Sequence, residues 1–113
     1  MLGQKSIKIK KKFLGKYSGS IPSYEIQLKE GMTSVDAVEI SFVLKKDYSI
    51  EIQIGKEKKE SRFTVLERNK NNYTIEVRIP GEKYIEKLEL KGKEKILFRE
   101  GLYPQPKAHL SKD

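Results

Sequence analysis

Alternation with period two limits what this chain can fold into. Val38, Ile40, Phe42 and Leu44 occupy even positions, and Tyr48, Ile50, Ile52 and Ile54 repeat the pattern. Successive strand residues point to opposite faces, so each run buries one face and presents Glu39, Ser41, Glu51 and Gln53 on the other. A helix would scatter the same side chains around its axis. Opposed residues of an antiparallel hairpin share a face, so Leu44 and Tyr48 pair only across an odd loop, most simply Lys45, Lys46 and Asp47, with Asp47 left-handed. Otherwise the two runs belong to different sheets and these residues form the corner.

Weaker copies of the pattern flank this pair. Ile7 and Ile9 between Ser6, Lys8 and Lys10 predict a first strand or a basic arm. Gly15, Ser18, Gly19, Ser20 and Pro22 punctuate a loop. Tyr24, Ile26 and Leu28 mark a strand that Gly31 ends, and the charged residues 56–60 read as a loop. Phe63 and Val65 give a short strand blurred by Leu66. Asn69, Lys70, Asn71 and Asn72 are a turn, because Asn accepts positive φ. Tyr73, Ile75, Val77 and Ile79 follow, stopped by Pro80 and Gly81. Tyr84, Leu88 and Leu90 continue with Glu86 intruding, which predicts a bulge or edge near Glu86 and Lys87. Gly92 turns the chain into Ile96, Leu97 and Phe98.

About eight short strands without a convincing helix predict an all-β domain over residues 1–100, with 101–113 as an extended or disordered tail. The spacing favours a β-sandwich, with a small closed β-barrel of OB or SH3 type as the alternative. The expected interior includes Ile26, Leu28, Val38, Ile40, Phe42, Leu44, Ile50, Ile52, Ile54, Val65, Ile75, Val77, Ile79, Leu88, Leu90 and Ile96.

Composition removes several chemistries. With no cysteine there is neither disulfide nor thiolate metal site nor cysteine nucleophile. No run of about 18 apolar residues suggests a membrane span, and the basic start lacks the apolar stretch of a secretory signal, so the chain reads as cytoplasmic or as part of a larger protein. The single histidine, His109, falls in the predicted tail, where no partner would orient it. The carboxylates at 25, 39, 51, 76 and 89 alternate with core positions and read as solvated sheet faces. The glycines are isolated, which excludes a glycine-rich phosphate loop. No catalytic residue, metal or cofactor is expected.

Charge is the feature with functional reach. The net charge is +8, and the first 16 residues carry Lys5, Lys8, Lys10, Lys11, Lys12 and Lys16 without an acid. Beside Phe13 and Tyr17, these lysines predict a segment able to track a phosphate backbone, the rings supplying a stacking face. The same lysines also fit guards on an edge strand, or attraction to an anionic membrane surface. Of the tyrosines, Tyr17 and Tyr103 fall in predicted loops and are the expected contacts, whereas Tyr24, Tyr48, Tyr73 and Tyr84 share parity with core faces. The expected function is a non-enzymatic binding or assembly module that meets a protein partner, or another copy of itself, through sheet edges, loops or tails. The alternative is a small basic barrel that binds nucleic acid through its lysine-rich start.

Overall fold

The computed structural model describes residues 7–78, 85–100 and 107–113. Ten strands follow a short 3₁₀ turn at Lys11–Phe13: Gly15–Ile21 (β1), Tyr24–Leu28 (β2), Gly31–Val35 (β3), Val38–Leu44 (β4), Ser49–Ile54 (β5), Glu57–Asn69 (β6), Asn72–Arg78 (β7), Ile85–Lys91 (β8), Ile96–Arg99 (β9) and Ala108–Lys112 (β10). Eight close into an antiparallel barrel in the order β1-β10-β9-β8-β7-β6-β5-β4, while β2 and β3 form a sheet of their own. The all-β class holds, and of the two expected architectures the closed barrel is the one adopted. Inward side chains meet around one interior instead of across two stacked sheets.

The central alternation does what its period requires. Ile40, Phe42 and Leu44 of β4 and Ile50 and Ile52 of β5 are buried, joined by Val65, Ile75, Val77, Leu88 and Leu90. Leu44 opposes Ile50, so the β4–β5 turn lies one residue later than expected, and Tyr48 rather than Asp47 is left-handed, at φ 67°. Asp47 Oδ1 instead accepts from Ser49 Oγ and Ser49 N at 2.6 and 3.0 Å. These two bonds, the side-chain one foremost, hold its carboxyl below the usual carboxylate range.

Several expectations are corrected. Residues 15–21 form β1 rather than a loop, because small residues suit this wall: a Cβ on Gly19 would sit 2.5 Å from the His109 carbonyl oxygen. Residues 57–60 belong to β6, turned at Gly55 and Lys56, with Gly55 at φ 60°. Lys70, not an asparagine, holds the positive φ of the β6–β7 turn. Leu66 lies at the register shift between Val65 and Glu67 and stays exposed. Glu86 makes no bulge: β8 pairs evenly with β7, and Glu86 points inward to accept Arg99 Nε and Nη2 at 2.8 Å each. Leu97, not Ile96, faces the interior. Residues 108–112 are no loose end, since β10 pairs with β1 and β9, and Ala108 and Leu110 are buried. The expectations placed on Ile79, Pro80, Gly81 and Tyr84, and on 101–106, lie outside the described residues.

The described part of the first segment, residues 7–14, is neither strand nor free arm. It crosses one barrel mouth and plugs it, burying Ile9 and Phe13. Ile9 N donates to the Tyr48 hydroxyl at 3.1 Å, and the Tyr17 hydroxyl donates to the Phe13 carbonyl at 2.6 Å. Phe13 meets the Tyr73 ring edge-on at 5.8 Å, above Gly92, where a Cβ would lie 2.6 Å from its ring.

At the opposite end the β1–β4 hairpin runs out of the barrel. Ile21 opposes Val38, and Tyr24 opposes Val35 in the same register. β2 and β3 are therefore the outer part of one long hairpin, interrupted at 22–23 and 36–37, where Pro22 lacks a ladder donor. Fourteen residues from Gly15 to Leu28, at about 3.3 Å each, span about 46 Å, in keeping with a molecule of 54 × 32 × 24 Å. No helix among the described residues is long and apolar enough to cross a membrane.

Candidate interaction surfaces

From β4 onward each strand pairs with the next, so alternate turns fall at the same end of the barrel. The β4–β5 turn carries Lys45, Lys46 and Asp47, the β6–β7 turn Lys70, and the β8–β9 connection Lys91, Lys93, Glu94 and Lys95. All three open at the plugged mouth, where Lys8, Lys10, Lys11, Lys12 and Lys16 lie and where β10 delivers Lys112 and Asp113. Twelve lysines thus gather at this end with Asp47, Glu94 and Asp113, while Glu51, 3.8 Å from Lys45, and Glu67 and Glu89, which share a shallow pocket with Lys91, lie just below them on the wall. Lys29 and the lysines of 56–59 lie toward the other end.

The plug is held as part of this pole. Lys10 N approaches the Tyr73 hydroxyl at 3.4 Å, and Lys112 Nζ donates to the Lys12 carbonyl at 2.8 Å. Lys12 Nζ lies 5.2 Å from the centre of the Phe13 ring. Among the surface ion pairs of the described residues, Lys45 of the β4–β5 turn reaches down to Glu51 on the wall at 3.8 Å, which Lys58 also meets at 3.6 Å, and Arg78 meets Glu76 at 3.7 Å. Lys8, Lys10, Lys11, Lys46, Lys70, Lys93 and Lys95 are exposed and pair with no described carboxylate.

The structure brings together the expected lysines 8, 10, 11, 12 and 16 but withdraws the expected rings. Phe13 is 5% exposed and Tyr17 0%, because the turn at Lys11–Phe13 directs Phe13 into the plug and Tyr17 is an inward position of β1 opposite Phe42, so neither offers a stacking face. Lys5 and Tyr103 lie outside the described residues. The turn lysines were not among the expected contacts, although a meander read from the sequence would have placed them beside the plug.

The second surface is the projecting hairpin, residues 22–37. Each barrel strand has two neighbours, whereas β2 and β3 have only one another. Tyr24, Ile26, Leu28 and Val35 share one face by pairing, and the expected interior positions of Ile26 and Leu28 are not realised: Ile26 is half-buried and Leu28 45% exposed. Met32 is 57% exposed. β3 has the sequence Gly-Met-Thr-Ser-Val and is exposed except for half-buried Val35.

A third feature is a shallow groove of about 470 Å³ on the wall of β1, β4 and β5, lined by Ser18, Ser20, Ser41, Glu39, Gln53 and Lys16 among others. It holds a single carboxylate. His109 is on the wall of β10, edge-on to Phe98 at 4.8 Å. Among the described residues, no three His, Asp or Glu side chains gather as metal ligands would.

Compared with known proteins, the chain matches no family model, no curated protein and no solved structure.

Proposed function

We propose that this protein is a non-enzymatic assembly module that joins to its partner by strand addition on the projecting hairpin. One observation carries the reading: β3 is an open, exposed edge without a charge or a proline, in a chain whose residues are 35% charged. Free edges in proteins are ordinarily blunted by lysine, proline or bulges, so an unguarded one invites pairing.

The partner with a matching strand at hand is a second copy. Antiparallel pairing about Thr33 sets Gly31 against Val35 and Met32 against Ser34 of the other chain, which extends two two-stranded sheets into one of four strands. The contact is isologous and therefore closes at a dimer. It also keeps the two basic poles at the far ends, where repulsion between them is screened. Just outside the pairing, Glu30 of one copy faces Asp36 of the other, which confines the added ladder to β3 and makes the dimer weak.

Sedimentation velocity between about 10 and 500 µM tests this reading. The expected result is a monomer–dimer equilibrium that Thr33→Lys abolishes, since it sets two ammonium groups across the twofold axis. A variant joining Ile21 to Val38 through Asn-Gly, in place of residues 22–37, should be a folded monomer. A wild type monomeric throughout, or a dimer that survives both changes, would overturn the proposal.

A further inference from the structure

We infer that the plugged pole is a second, independent binding site, and that its ligand is the phosphodiester backbone of duplex nucleic acid, held without regard to base sequence. The argument rests on how the site is built as much as on its sign. Lysines from the N-terminal segment, from three hairpin turns and from β10 are gathered at one end by the topology. Those at 8, 10, 11 and 12 ride on a segment fixed by buried Ile9 and Phe13 and by tyrosine hydroxyls. Sixteen acids exist in the chain; among the pole lysines Lys45 reaches one of them, Glu51, at 3.8 Å, whereas those at 8, 10, 11, 46, 70, 93 and 95 pair with no described carboxylate. A concentration of unneutralised positive charge opposes folding, and a polyanion relieves that opposition while releasing its own counterions.

The surrounding side chains select among polyanions. Membrane-docking surfaces add apolar or aromatic side chains to their lysines, but the large apolar residues exposed among those described are Leu28, Met32, Leu66 and Ile85, none of them on the plug or its flanking turns. Single-strand binders stack bases on exposed rings. Here Phe13, Tyr17 and Tyr73 are buried, and Tyr48 stacks on Phe63 at 5.1 Å. Base reading relies chiefly on a free arginine fork; the two exposed arginines beside the pole have theirs engaged by its turns, Arg62 Nη2 donating to the Asp47 carbonyl at 2.9 Å and Arg68 Nε to the Lys70 carbonyl at 3.0 Å, which leaves the lysines, and these meet phosphate as point charges. What remains is a cationic, ring-poor platform suited to an intact duplex.

Fluorescence anisotropy with labelled 20-base-pair duplexes of unrelated sequence tests the site in the full chain. Contact with about six phosphates predicts that log affinity falls with log salt at a slope near −5, equally for every duplex. Two variants locate the contact: Lys8→Gln/Lys10→Gln/Lys11→Gln on the plug, and Lys46→Gln/Lys93→Gln/Lys95→Gln on the turns. Each should weaken binding at about 50 mM salt by a hundredfold or more and flatten the slope by about 2.7. The substituted side chains are exposed, and unchanged circular dichroism and melting cooperativity verify the fold. Replacing residues 22–37 should leave binding intact, which separates this site from the hairpin.

A turn variant that binds like the wild type would overturn the proposal in favour of a basic tail acting alone. Tighter binding to single strands, or to vesicles with about 30% phosphatidylserine than to duplex, would overturn it in favour of another ligand. A slope shallower than −2 would also overturn it.

Discussion

Glu86 and Arg99 show how a single buried pair can sit at one end of an otherwise apolar barrel. Their side chains are 3% and 4% exposed and meet through two hydrogen bonds of 2.8 Å. Both charges give up hydration, and the bidentate geometry offsets that loss. Around them Val77 opposes Glu86, while Leu88 and Ala108 oppose Arg99, so the residues directly across the ladder are apolar. Removing one partner should therefore be far worse than removing both. Glu86→Gln or Arg99→Met is expected to lose about 3–5 kcal/mol in urea unfolding, and the double variant Glu86→Leu/Arg99→Met much less than the sum. Single variants within about 1 kcal/mol of wild type would show that the pair contributes little.

Among the elements, the plug depends most on specific hydrogen bonds. The Tyr17 hydroxyl donates to the Phe13 carbonyl, and burial pushes its pKa up from 10.0 to about 12. Between those values the unfolded chain loses the proton while the native one keeps it. The stabilisation is thus complete below about pH 10 and declines as pH rises from there toward 12. Tyr17→Phe should lose about 1 kcal/mol at neutral pH with its hydrogen bond, and wild type should fall toward it by roughly 1 kcal/mol at pH 11. Urea midpoints measured at pH 8 and 11 should therefore converge. Parallel declines would show that the hydroxyl ionises as freely in the native state as in the unfolded one.

The elements legible in the sequence are those whose alternation was enforced by a solvated outer face and a dry inner one, above all β4, β5 and β7. β1 and β10 were hidden because barrel closure supplies their reason to be strands. Gly19 is small to admit the β10 backbone, and β10 has only Ala108 and Leu110 to mark its inward side. Glu86 read as an interruption because its partner lies 13 residues away, and periodicity carries no information about pairing. Parity also misplaced Ile26 and Leu28, whose strand is as regular as the others but has left the barrel. The basic segment was visible, yet its neighbours at the pole follow from strand order, which sequence spacing does not specify.

At the scale of the whole molecule, charge is sorted along the long hairpin. The plugged end is cationic, whereas residues 22–37 carry Glu25, Glu30 and Asp36 against Lys29. Two opposing electrostatic effects act on the fold, and salt separates them. The wall pairs join exposed cations to half-buried carboxylates at more than 3.5 Å, so each is worth about 1 kcal/mol or less and weakens as ions are added. Repulsion among the pole lysines extends over distances comparable to a Debye length of about 30 Å at 0.01 M, and is cut back when that length falls to about 8 Å at 0.15 M. Because the crowded lysines outnumber the wall pairs, repulsion should dominate. The melting temperature is then expected to rise between about 10 and 200 mM sodium chloride, and to rise less in Lys46→Gln/Lys93→Gln/Lys95→Gln, which begins with less repulsion to screen. A melting temperature that falls with salt in wild type would mean that the wall pairs outweigh the pole, and that its lysines stand too far apart to act as one field.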